Sequence, residues 1–267
     1  MDYVAIGATL AVLRISQKLT YCCLGNKTKI LTRSQNLKQY GERTVKLVIG
    51  NKNYSSWSLR PWLLLRHFSL PFDELHISLG DKNRREILRG FSPSSKVPVL
   101  VDGDITVWDT LSICEYLNEQ YLEGRGWPMQ VKTRATARAV VAEMHAGFSA
   151  LRIALPMNCR ARRRVKLSEE VRRDIARIDE IWSQAEQFQN NGQWLFGEFG
   201  IADCFFAPVA FRFQTYGIHL SLAASEYCER LLNHNGMRAW KLAALEETEI
   251  LKEEEVGEDL STRHAYA

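Results

Sequence analysis

Residues 97–110 read VPVLVDGDITVWDT. This stretch decides the fold. Two short runs of strand-forming residues, 97–101 and 105–108, are joined by Asp102-Gly103-Asp104. Asp-Gly between two such runs is a hairpin signal, because the tight turn needs positive φ. Pro98 is costly inside a strand unless it starts the strand or follows a cis bond. A cis bond there leaves the Val97 N–H and C=O free to pair with a peptide-like ligand; a plain loop proline is the other reading. Asp109 comes next and can cap a helix whose Leu111, Cys114, Leu117 and Tyr121 share one face. The Thr110 N–H and hydroxyl suit a carboxylate and the Asp109 side chain an ammonium group, or Asp109 simply caps the helix.

Working outward, residues 45–49 read as a buried strand ended by Gly50-Asn51. Residues 55–68 carry Leu59, Trp62, Leu63 and Arg66 at helical spacing, 72–79 alternate as a second strand, and 83–89 read as a short helix. The order is β-α-β-α-β-β-α, a thioredoxin-like sheet with parallel pairing first and an antiparallel edge last. At its first strand-to-helix junction lies Tyr54-Ser55-Ser56-Trp57-Ser58-Leu59-Arg60. A helix N-terminus stabilises an anion, and a hydroxyl there can donate to a thiolate and lower its pKa; serines also simply cap helices. After a linker at 123–128 (EGRGWP) the chain reads helical: 132–155 is amphipathic, Ser168 caps a stripe of Val171, Ile175, Ile178 and Trp182, and 201–216 is apolar nearly all round.

The chain has 267 residues with 35 Lys+Arg against 31 Asp+Glu. Residues 1–44 hold seven of those bases and two of the acids, net +5, which leaves 28 bases and 29 acids, net −1, for the rest. The basic balance therefore says little about nucleic acid. The longest apolar run, 4–13, is too short to span a bilayer, which takes about 20 residues. Six cysteines show no C-x-x-C and no zinc spacing, which fits a reducing compartment and no metal. Residues 1–44 are expected to lack fixed structure and to reflect a start placed too far upstream. The acidic segment from Glu246 is expected to be solvated.

The three local signals, in this order on this pattern and followed by a helical half, resemble the cytosolic glutathione S-transferase family over residues 45–245. VPVLVDGD…VWDT is similar to the family's V-P-x-L-x-D-G…E-S glutathione motif, with Asp109-Thr110 in place of Glu-Ser. The first loop resembles the serine-type, zeta-like and bacterial classes, whose serine lies five residues before an Arg; Arg60 then points to Ser55, with Ser56 and Ser58 as alternatives. Gly200-Ile201-Ala202-Asp203 is similar to the family's S/T-x-x-D capping box, with Gly in place of Ser/Thr.

The resemblance implies a glutathione transferase fold: α/β plus all-α, a thioredoxin-like glutathione-binding domain at 45–124, a helical substrate domain at 132–245 and an acidic tail at 246–267. It implies that Ser55 donates to the glutathione thiolate, Val97 pairs with the cysteinyl backbone, Asp109 and Thr110 grip the γ-glutamyl end, and Lys96, with Lys82 weighted low, meets the glycine carboxylate. It implies a cytoplasmic, homodimeric detoxification enzyme whose thiolate attacks an electrophile. Glutathione would be the co-substrate, with no metal, nucleic acid or membrane partner. Met144, His145, Phe148 and Arg152, followed by Met157 and Asn158, are second-substrate candidates, though Met and Phe at helical spacing also read as core. Arg160, Arg162, Arg163, Arg164 and Lys166 either attract acidic substrates or form a solvated loop. Trp57 stands where zeta-class isomerases carry Cys. A glutathione-dependent maleylacetoacetate-type isomerase and a non-catalytic interaction protein are the alternatives.

Overall fold

The computed structural model describes residues 20–24, 27–31, 44–184 and 192–260. Two units are separate, Met1–Arg43 and Thr44–Ala267. In the first, β1 (Thr20–Leu24) pairs antiparallel with β2 (Lys27–Leu31). The expectation of no fixed structure over 1–44 thus meets a hairpin in its described part. Thr20, Tyr21, Thr28 and Ile30 are strand formers, and the two intervening residues are Gly-Asn in sequence.

In the second unit, β3 (Val45–Ile49) lies at the centre of a four-stranded sheet. It pairs parallel with β4 (Phe72–His76) and antiparallel with β5 (Val99–Asp102), which forms a hairpin with β6 (Ile105–Trp108). Four of the five β3 side chains are buried, as a strand covered on both faces requires. Asp102 faces Ile105 across the turn, and Gly103 takes φ +62° there. The helices of this half are α1 (Ser56–His67), α2 (Arg84–Arg89) and α3 (Thr110–Gln120).

The helical half follows with α4 (Val131–Ala146), α5 (Ser149–Ala154), α6 (Glu169–Ser183), α7 (Ile201–Tyr216), α8 (Leu222–Asn233) and α9 (Asn235–Glu246). α7 is buried along nearly its whole length and packs against α1, α4 and α8. The two halves share one hydrophobic core, so the linker is a joint and not a spacer. Gly126 N–H donates to Asn118 Oδ1 at 2.8 Å, and its carbonyl accepts from Ile201 N–H at 3.0 Å. A Cβ on Gly200 would sit 2.6 Å from the Gly126 oxygen, which explains Gly at that cap. Asp203 accepts from the Gly200 N–H at 2.9 Å and from the Tyr227 hydroxyl at 2.8 Å.

The acidic segment is partly solvated and partly docked over its described part: Glu246, Glu253, Glu258 and Asp259 are exposed, while Glu247, Glu249 and Glu255 are half-buried. β8 (Glu258–Asp259) pairs with β7 (Arg163–Arg164), and the carboxylates between α9 and β8 serve the loop at 51–54. Glu247 accepts from the Lys52 and Asn53 N–H groups at 2.6 and 2.9 Å, Glu249 from Asn51 Nδ2 and Ser78 Oγ at 2.7 Å, and Glu255 from the Tyr54 hydroxyl at 2.6 Å. Arg163 pairs with Glu255, and Arg160 donates to the Glu247 and Glu249 carbonyls. The half-buried charges of the basic loop and the acidic segment therefore satisfy each other, since charges withdrawn from water require partners.

Candidate active site

Ser55 is the N-cap of α1 and is 5% exposed. Its Oγ accepts from the Ser58 N–H at 3.4 Å and lies 2.7 Å from Ser58 Oγ, which itself accepts from the Gly50 N–H at 3.1 Å. Ser55 and Ser56 lie on the wall of a cavity of about 670 Å³; Ser58 is fully buried and is not on that wall. Ser56 Oγ accepts from Arg212 Nη2 at 3.2 Å. The loop below these serines is held by the Glu247–Glu255 carboxylates, so their position depends on chain nearly 200 residues away.

The same cavity is walled by Lys96 and Val97, with Arg84, Arg85 and Arg89 of α2. The Val97–Pro98 bond is cis, and Val97 precedes β5. Among the described residues no hydrogen bond engages the Val97 N–H or C=O. Lys82 is exposed and off the wall.

Asp109 and Thr110 are at the start of α3 as the sequence indicates, but they are not on the wall of this cavity. Asp109 has φ +70°, caps Leu111 N–H at 2.9 Å and lies 3.2 Å from His145 Nε2. Thr110 is buried. Of the four second-substrate candidates, Arg152 is on the wall and Met144 and Phe148 are core. His145 joins Asp109 and meets the Trp57 ring edge-on at 5.4 Å; burial holds its pKa below the ordinary value despite Asp109. Met157 and Asn158 are fully buried, Asn158 donating to Glu255 and accepting from Asn53.

Sequence reasoning missed the place of Arg212 on the cavity wall and the burial of Arg60. Arg212 is on the cavity wall although it belongs to the most buried helix, and burial lowers its pKa to about 10. Arg60 is fully buried, with its guanidinium 4.3 Å from the Trp57 ring and 4.6 Å from the Phe205 ring. The available signal was one Arg inside CFFAPVAFRF, since a charge in an all-apolar helix needs a reason.

Residues 54–120 match the glutathione S-transferase N-terminal domain family model. Those residues carry a glutathione S-transferase N-terminal domain, and the fold is that of the solved glutathione transferases. A glutathione transferase homologue from Burkholderia with bound glutathione superposes with TM-score 0.58 at 21% identity, covering 76% of this chain and all of that one. Ure2p in complex with glutathione superposes with TM-score 0.58 at 16% identity, over 74% of this chain and 98% of that one. A stringent starvation protein A homologue from Pasteurella multocida is 27% identical over 141 residues, 53% of this chain and 63% of that protein. The chain therefore spans somewhat less than two thirds of that relative. Among the described residues no group of His, Cys, Asp and Glu could hold a metal ion, and no helix is long and apolar enough to cross a membrane.

Proposed function

We propose that the protein is a serine-type glutathione transferase in which Ser55 is the catalytic residue. The observation that carries this reading is Ser55 at the N-cap of α1 on the same cavity wall as the unpaired Val97 backbone. Glutathione binds with its cysteinyl backbone along Val97 and its sulfur at Ser55. The thiol proton leaves to water. The remaining thiolate accepts the Ser55 O–H, while Ser58 reverses its hydroxyl and donates to Ser55. A chain from Gly50 N–H through Ser58 and Ser55 then ends on the sulfur, each bond polarising the next. With the helix N-terminus this lowers the thiol pKa from about 8.5 by a unit or more. The thiolate then attacks an electrophile. Lys96 meets the glycine carboxylate. Asp109 and Thr110 reach the γ-glutamyl end only if Asp109 is released from His145. The working form is a cytoplasmic homodimer.

A second reading is a protein that binds glutathione without turning over electrophiles. It is supported by the kinship with a stringent starvation protein A homologue and with Ure2p, neither of which is named as a transferase. Retention on glutathione resin together with conjugation of 1-chloro-2,4-dinitrobenzene is expected. Retention without conjugation selects the second reading, and no retention overturns both.

A further inference from the structure

The cations on the cavity wall fall into two sets. Arg84, Arg85, Arg89 and Lys96 come from the thioredoxin-like half, and Arg152 and Arg212 from the helical half. Glutathione offers two carboxylates and a thiolate against one ammonium, and the first set with Ser55 accounts for that charge. The second set is left over.

Its direct hydrogen-bond partners are neutral. Arg212 donates to the Arg152 and Leu155 carbonyls and to Ser56 Oγ; Arg152 donates to the Gly147 and Met144 carbonyls. Arg152 lies 4.9 Å from the Trp57 ring that Arg60 also contacts, and Arg60 Nε and Nη1 have no hydrogen-bond partner. Three guanidiniums therefore gather at residues 56 and 57. Among the described residues none of them has a carboxylate within ion-pair distance. Asp174 and Glu254 act on Arg152 and Arg212 only from beyond that range. Burial pushes the Arg60 pKa well down, and Arg152 and Arg212 add to it more than Cys114 and Asp109 offset. Buried charge without a counter-charge is costly. A ligand carboxylate held by two guanidiniums relieves it.

We propose that Arg152 and Arg212 bind the carboxylate of an anionic electrophile beside the sulfur held at Ser55. That the anion is a co-substrate rests on the transferase reading; the anion site itself rests on the arginines. Glu254, on the same wall, opposes the anion by its own charge.

The test compares 4-chloro-3,5-dinitrobenzoate with neutral 1-chloro-2,4-dinitrobenzene. In each, the thiolate forms a C–S bond to the ring and chloride leaves, and each rate is divided by its uncatalysed rate. The anion is expected to show kcat/KM about tenfold higher or more, as charge-assisted pairing implies. Arg212→Met and Arg152→Gln should bring the ratio close to one, and Glu254→Gln should raise it. A wild-type ratio near one overturns the proposal. So do arginine variants that lower both rates in parallel, since the guanidiniums then act on the thiolate. If the variants do not fold, calorimetry on the wild-type chain decides: 3,5-dinitrobenzoate should bind about tenfold tighter than 1,3-dinitrobenzene, and equal binding overturns the site. Anion binding in a protein that neither retains glutathione nor conjugates supports the site while the transferase reading falls.

Discussion

The two halves of Thr44–Ala267 build their sides of the cavity by different physics. Beside the cations of α2 and Lys96, the thioredoxin-like half presents backbone and helix-terminus groups nearest the serines: the Ser55 cap and the Val97 amide. Their directions follow from strand and helix geometry, so they are positioned without long side chains. The helical half presents Arg152 and Arg212, long side chains held by carbonyls at the ends of α4 and α5 and, for Arg212, by Ser56 Oγ. The first side suits what every glutathione molecule has in common. The second side is where a substrate preference can be written, since a side chain can change without disturbing a strand.

Several measurements can break or sharpen this contrast. The largest expected effect is at the seam between the halves. His67, the last residue of α1, lies 3.1 Å from His234, which caps α9, and stacks on Phe199. Burial, with the neighbouring His234, lowers its pKa to about 4. A depressed histidine gives stability that is complete above its unfolded pKa of about 6.5 and is lost as pH falls toward 4. Asp203, raised by burial to about 6, works the other way between 6 and its unfolded value. The difference between wild type and His67→Gln therefore isolates the seam. In urea titrations from pH 7 to 4 the wild type should lose up to about 3 kcal/mol more than the variant. Parallel curves would show that the halves do not meet through this pair.

Ser55→Ala comes next. It should lower kcat/KM for neutral and anionic acceptors alike by about a hundredfold, with the bound thiol pKa raised by a unit or more in ultraviolet titration. An effect confined to one acceptor would erase the division of labour between the halves. Glu247→Ala removes the acceptor of two backbone N–H groups below the serines. A loss of about 2 kcal/mol in urea unfolding is expected, with weaker glutathione binding in calorimetry. The smallest effect is Ser58→Ala, about threefold to fivefold in rate, accompanied by a raised thiol pKa. A slower rate with an unmoved pKa would remove Ser58 from the hydrogen-bond chain.

Much of the thioredoxin-like half is legible because its signals are local. Asp102-Gly103 places the β5–β6 turn, Asp109 caps α3 directly after β6, and the serines stand at a strand-to-helix junction. Each needs only neighbours a few residues away. Met144 and Phe148 show the opposite case: at helical spacing, an apolar side chain facing a cavity and one facing the core look alike, and here both are core.

The sequence by itself determined the β-α-β-α-β-β-α order, the helical half and the junctions where an anion could be held, because turn chemistry, caps and periodicity act within a few residues. Only the tertiary structure decided what the junctions face. It docked the acidic segment under the loop at 51–54, turned Asp109 toward His145, and carried Arg212 from the most buried helix to the side of Ser56. Those outcomes depend on which charged group finds which partner far beyond its own element, across 36 residues for Asp109 and His145 and 156 or more for the others, and one-dimensional spacing does not encode that distance.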